Sequence, residues 1–176
     1  MSIMRWFRGL PVPPVLGAAV LIALAGSCGS PSGPAPLGRM VARTDCKSAG
    51  GTPVGKAGAA AASQECIEYE YDGRSVLRLR HVNAAFNCCP GAISADVEVS
   101  GAIIRIGERE SSSLCDCSCL YDISYEITGL APGSVRISIA GPYQPEEGPP
   151  LECVVDLGNA SSGSCCVTRT GYPWGP

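Results

Sequence analysis

Eleven cysteines and one histidine are the residues of this chain with the most chemistry to offer. Six of these twelve fall in two short stretches. They are His81-Val82-Asn83-Ala84-Ala85-Phe86-Asn87-Cys88-Cys89-Pro90-Gly91 and Cys115-Asp116-Cys117-Ser118-Cys119-Leu120-Tyr121-Asp122. Residues two apart on one strand face lie about 6.5–7 Å from each other, a usable reach for thiolates around one ion. His81, Cys88, Cys89, Cys115, Cys117 and Cys119 therefore make a soft ligand set for copper or zinc. The competing reading of the same thiols is disulfide bonding, with no cofactor. His81 shares the parity of Leu77 and Leu79, which suits a hydrogen-bonded core histidine better than a ligand. A thioredoxin-type C-x-x-C is absent, which weakens a redox reading.

Other catalytic classes find less support. One histidine and no G-x-S-x-G context leave a Ser-His-Asp hydrolase without a basis. No EF-hand loop, P-loop or dinucleotide fingerprint occurs. Asp116, Asp122 and Glu126 share a polar strand face, which a solvated surface explains. Arg74, Arg78 and Arg80 stand near Glu68 and Glu70, as cross-strand charge pairs in a hairpin would. No catalytic constellation emerges, and the expectation is a protein that is not an enzyme.

The elements that must position these residues are strands. Gly 22 and Pro 15 predict many turns and few long helices. Runs at Cys66–Tyr71 and Ser75–Asn83 flank Asp72-Gly73, a strong hairpin signal. Ile93, Ala95, Val97 and Val99 alternate up to Ser100-Gly101, and Ile104 and Ile106 continue beyond it. Cys115, Cys117, Cys119, Tyr121, Ile123, Tyr125 and Ile127 share one parity, with polar neighbours on the other and Leu120 the exception. That alternation predicts one face in a core and one in water, with all three cysteines aimed inward at a second sheet. Val135, Ile137 and Ile139 follow a Pro132-Gly133 turn. Leu151, Cys153, Val155 and Leu157 follow a proline-rich loop at 141–150, and Cys165–Thr170 closes the series. Seven or eight short strands at this spacing predict a disulfide-rich, all-β, antiparallel Ig-like or prealbumin-like sandwich. The Gly/Ala/Ser-rich stretch 47–64 reads as a long loop that Cys46 and Cys66 would close, a bridge worth about 3 kcal/mol.

Residues 1–27 have the three parts of an export signal: Arg5 and Arg8, an apolar run Val15–Ala25, then small residues. Leu24-Ala25-Gly26-Ser27-Cys28 resembles the lipobox of bacterial lipoproteins, in which the cysteine is diacylated and becomes the N-terminus; Ala25 stands where Leu is more usual. Cysteine parity agrees with lipidation at Cys28. Taking it away leaves ten, an even number suited to complete pairing in an oxidising compartment. The disulfide candidates are then Cys46, Cys66, Cys88, Cys89, Cys115, Cys117, Cys119, Cys153, Cys165 and Cys166. The vicinal pairs Cys88-Cys89 and Cys165-Cys166 point to opposite faces if extended, so each member suits a different partner. Residues 28–45 read as a flexible tether and 46–176 as the β-sandwich domain.

Without the leader the chain carries 11 basic and 16 acidic residues, a net −5. A mildly acidic surface disfavours nucleic acid as a partner and electrostatic docking on anionic lipid. Membrane attachment is therefore expected through the covalent anchor alone. Gly29 after the cysteine, by resemblance to enterobacterial lipoproteins, favours the outer membrane.

The FNCCPG turn and the C-x-C-x-C strand leading into Tyr-Asp are similar to those of a family of bacterial lipoproteins of uncharacterised activity. The similarity runs from Cys66-Ile67-Glu68-Tyr69 to Tyr172-Pro173-Trp174. It implies an envelope location and transfers no catalytic residues. The expected function is a non-catalytic structural or binding module of the cell envelope. The alternatives are a metal- or redox-handling lipoprotein and a carbohydrate- or protein-binding module. The last would use Tyr69, Tyr71, Tyr143, Tyr172 and Trp174 as exposed aromatics, with an envelope protein or glycan as partner.

Overall fold

The computed structural model describes residues 35–47 and 60–175. The leader and Cys28 lie outside the described residues. Among the described residues nine strands form in chain order: β1 Leu37–Arg43, β2 Gln64–Tyr71, β3 Val76–Asn87, β4 Ile93–Ser100, β5 Ile103–Glu110, β6 Ser118–Thr128, β7 Ser134–Ala140, β8 Leu151–Asp156 and β9 Ser162–Thr168. They make a five-stranded sheet of order β1-β6-β3-β2-β9 and a four-stranded sheet of order β4-β5-β7-β8. The architecture is an all-β, disulfide-rich sandwich. No helix occurs among the described residues.

Period-two alternation builds the interior. Ile67, Leu77, Ile104, Ile123, Ile127 and Ile137 are fully enclosed between the sheets. With so few Phe and Trp, tyrosines supply bulk: Tyr121 and Tyr125 are buried, and Tyr121 meets Phe86 edge-to-face at 5.9 Å. The β2–β3 hairpin turns at Asp72-Gly73. The Asp72 carboxylate accepts the backbone N–H groups of Arg74, Ser75 and Val76 at 2.8–2.9 Å, and Gly73 takes φ +78°.

Four expectations change. Leu37–Arg43, read as tether, is β1, an edge strand paired with β6; its alternation is masked by an irregularity between Met40 and Ala42. Gly38 allows β1 to close against the other sheet, because a Cβ there would collide with Val97 of β4. The sandwich is not wholly antiparallel: β6 crosses to the opposite sheet, so β7 returns parallel to β5. Cys115 and Cys117 precede β6 and do not aim at a second sheet; only Cys119 of the three lies on the strand. The β3 strand runs past Asn83 to Asn87 because Asn83, at φ +64°, forms a bulge where the register to β6 shifts. Leu120, out of phase in the sequence, packs with Ala85 and Trp174 in a second small cluster.

The alternation of β6 has a direct test. Ile123 is buried and Ser124 lines the outer face. Ile123→Asp places an unpaired carboxylate in the core and is expected to cost more than about 4 kcal/mol, whereas Ser124→Asp should stay within about 0.5 kcal/mol. Urea denaturation of both variants measures the contrast, and equal effects would contradict this packing.

Candidate functional site

The ten described cysteines form five disulfides. The pairs are Cys46–Cys119, Cys66–Cys166, Cys88–Cys117, Cys89–Cys115 and Cys153–Cys165, with Cα atoms 4.1–5.8 Å apart. Cys46 and Cys66 do not close the 47–64 loop; Cys66 instead stands opposite Cys166 in register between β2 and β9. Each vicinal pair divides between two partners, Cys165 and Cys166 as the extended geometry of β9 requires, Cys88 and Cys89 from the bend after β3. Cys165 reaches Cys153 on β8 and thereby ties the two sheets together.

The FNCCPG turn and the C-x-C-x-C segment meet because β3 and β6 are neighbours. Asn87 organises their junction. Its Oδ1 accepts the N–H groups of Cys89 and Cys115 at 2.8 and 3.2 Å, and its Nδ2 donates to the Cys115 carbonyl at 2.6 Å. Two disulfides then lock the two segments side by side. All five thiols weighed as metal ligands are consumed here or in Cys46–Cys119, and His81 is bonded elsewhere. The structure brings Cys88, Cys89, Cys115 and Cys117 together as two disulfides and leaves His81 apart from them, bonded to Glu65 and Glu108.

His81 lies in the interior, about 1% exposed, with both ring nitrogens engaged. Nε2 bonds Glu65 Oε1 at 2.9 Å and Nδ1 bonds Glu108 Oε1 at 2.8 Å. Arg169 Nε donates to Glu65 Oε2 at 2.5 Å, and Gln144 Nε2 donates to Glu65 Oε1 at 2.7 Å. The Tyr125 hydroxyl donates to Glu108 Oε1 at 2.5 Å. Glu65, His81 and Tyr125 come from the five-stranded sheet and Glu108 from the four-stranded one, so the imidazole joins the two layers.

Two carboxylates on one imidazole set its charge. Burial alone would lower the His81 pKa, but the Glu108 charge and hydrogen bond, together with those of Glu65, outweigh it and raise it to about 9. For Glu65, burial pushes upward; the bonds from His81, Gln144 and Arg169 prevail and hold its pKa below the ordinary value. Burial and then Glu108 push the Tyr125 phenol well above its ordinary range, so it stays a donor.

Glu65, Glu108 and Arg169 were not singled out in the sequence, although each shares the inward parity of its neighbours. Glu65 is in phase with Ile67, Glu108 with Ile104 and Ile106, and Arg169 with Cys165 and Val167. The cluster is closed to substrate: Glu65 is 0% and Arg169 3% exposed. Its chemistry is that of an internal clasp.

The accessible polar surface is elsewhere, on the outer face of the five-stranded sheet. An open groove of about 980 Å³ is lined there by Arg39, Glu126, Arg78, Arg80, Glu68 and Glu70, with Ser162 and Ser164 at one side. Register puts Arg39, Glu126, Arg78 and Glu70 in one row of alternating sign. Arg39–Glu126 at 2.8 Å and Arg80–Glu68 at 2.7 Å are ion pairs. Arg80–Glu68 is the cross-strand pairing expected of the β2–β3 hairpin. Of the five aromatics weighed as a binding set, Tyr71 and Trp174 are buried, because Tyr71 caps the core and donates to the Leu130 carbonyl and Trp174 donates to the Asn83 carbonyl. Tyr69 and Tyr143 are half-buried and Tyr172 is exposed. Tyr69 lines the charged groove, Tyr143 packs against the small cluster of Ala85, Leu120 and Trp174, and Tyr172 bonds the Ser118 backbone. Comparison with family models, curated proteins and solved structures finds no match for this chain.

The chain has one histidine, so its imidazole signals are unambiguous. NMR titration should place the His81 midpoint near 9. Because the folded value exceeds the ordinary 6.5, the contribution of His81 to stability is complete below about pH 6.5 and lost as pH rises through 9. The Glu65 contribution has the opposite sense, present above its ordinary 4.5 and lost on acidification. A melting-temperature profile should fall on the alkaline side. His81→Leu should abolish that fall and destabilise the fold by about 3–5 kcal/mol, because two buried carboxylates lose their partner.

Proposed function

We propose that this chain is a lipid-anchored, non-catalytic structural or binding module of the bacterial cell envelope. The observation that carries the reading is the complete pairing of the ten described cysteines. Cytosolic reductants keep thiols apart, so a framework of this density belongs to an exported protein. The eleventh cysteine, Cys28, is then left for the acyl chains of the lipobox-like motif. The resemblance of the FNCCPG and C-x-C-x-C motifs to bacterial lipoproteins agrees with that assignment. Burial of the His81 cluster supports a non-catalytic role, since its charged groups have no route to a substrate.

Residues 29–36 join Cys28 to β1, a reach of at most about 30 Å when fully extended. Leu37 pairs with Thr128, at the opposite end of β6 from Ser118, which pairs with Asn87. The disulfide-locked FNCCPG segment therefore lies at the opposite end of the sandwich from the start of β1, and the charged groove lies on the outer face of the larger sheet. That groove is the surface offered to an envelope protein or a glycan.

Two measurements test the proposal. Wild-type protein should enter the detergent phase on Triton partitioning and Cys28→Ser the aqueous phase, because two acyl chains supply the affinity. Protein from its native compartment should resist alkylation until reduced and then expose its ten paired thiols. A wild type that partitions into water, or that alkylates freely beforehand, would defeat the reading.

A further inference from the structure

Beyond the end of β1 the chain continues alongside β6. Thr44 N–H donates to the Asp122 carbonyl at 2.9 Å and Lys47 N–H to the Leu120 carbonyl at 2.8 Å. This brings three side chains from adjacent segments to one point. Lys47 Nζ donates to Asn83 Oδ1 at 2.8 Å and is ion-paired with Asp122 Oδ1. Asp122 Oδ1 also accepts the Asn83 backbone N–H at 3.1 Å. The Asn83 carboxamide cannot swing away, because its Nδ2 donates to the Ala61 and Gln64 carbonyls at 3.0 and 2.6 Å. Its backbone is pinned in the bulge and its carbonyl is held by Trp174 Nε1 at 2.9 Å.

We propose that Lys47 and Asn83 are the site of an intramolecular isopeptide bond, with Asp122 as the proton carrier. An amine, a carboxamide and a carboxylate held in contact are the complete set of groups for amide exchange. Amides are unreactive toward amines in water, but fixed juxtaposition supplies a large effective concentration, and a carboxylate bonded to the Lys47 amine and to the Asn83 backbone N–H can move protons. Asp122 takes one proton from the Lys47 ammonium, and the freed amine attacks Asn83 Cγ, forming the new C–N bond. Asp122 delivers that proton to Nδ2 and takes a second from Nζ as the Cγ–Nδ2 bond breaks. Ammonia leaves and carries the second proton into water as ammonium, and Asp122 ends as it began. No oxidant or co-reactant is required.

Burial is graded in the sense the reaction needs. Asn83 is 2% exposed, beside an apolar cluster of Ala85, Leu120 and Trp174, while the side chains of Asp122 and Lys47 are 14% and 36% exposed. The scissile carboxamide is shielded from hydrolysis, and the amine side opens to the solvent that receives ammonia. The link would fasten the segment after β1 to β3 across β6, next to Cys46–Cys119, and would survive reduction.

Full-length protein extracted from its membrane, reduced, alkylated and digested, is the sample to measure. Mass spectrometry should find a branched peptide joining Lys47 to Asn83, lighter by one ammonia than the two parent peptides together. Lys47→Arg and Asp122→Ala should each return the linear Asn83 peptide. Linear peptides with a free Lys47 amine in the wild type would overturn the proposal and leave the contact as an ion pair and hydrogen bond. Loss of ammonia from the Asn83 peptide without a branch, as a succinimide gives, would overturn it equally.

Discussion

The contact between the sheets is organised around one imidazolium. His81 takes a carboxylate from each layer, Glu65 on one ring nitrogen and Glu108 on the other, so the two layers share a charge that neither could bury alone. Desolvating ions is costly, and a half-formed version of the cluster would be worse than an apolar one. The arrangement is therefore tolerable at one separation and one register of the sandwich. Arg169 and Gln144 complete the donors to Glu65, which draws the end of the chain and the β7–β8 connection onto the same point. Pro149 is held as well, through its carbonyl, by Arg169 Nη1 at 2.7 Å.

The disulfides act on a different problem. The interior is mostly isoleucine, leucine, valine and tyrosine, with Phe86 and little other large aromatic bulk. A small domain gains stability when cross-links reduce the freedom of its unfolded chain. Four of the five bridges serve the five-stranded sheet and the segments at its ends, and the fifth, Cys153–Cys165, spans to the other sheet at the β8–β9 edge. Clasp and staples thus hold the layers at different places, one in the middle and one at the margin. The outer face of the larger sheet carries cross-strand pairs that alternate in sign, with the Cys66–Cys166 bridge on that same face.

Much of the fold was legible because strand parity is a local property. Ile123, Tyr125 and Ile127 declared their side through spacing, and Asp72-Gly73 declared its hairpin through turn chemistry. Parity also carried His81 to the interior. It failed where an irregularity breaks the period: at Met40–Ala42, which disguised β1, and at Asn83, which hid the second half of β3. It misled at Cys115 and Cys117, whose alternation with polar neighbours belongs to a loop held by disulfides. Tyr71 and Trp174 looked available to a ligand because exposure of an aromatic depends on what folds over it, and that is not a local property.

The sequence by itself determined the strand periods, the turn sites, the even number of cysteines beyond Cys28 and the inward phase of His81, Glu65 and Glu108. These follow from the two-residue repeat of a strand and from counting, neither of which needs a partner. Only the tertiary structure decided which cysteine meets which, that Glu65 and Glu108 converge on one imidazole, and that Lys47, Asn83 and Asp122 touch. Those meetings depend on strand order and on β6 crossing between sheets, which sets β5 beside β7 and β1 beside β6. Strand order is fixed by the joint packing of all nine strands, and no single stretch of the chain carries that information.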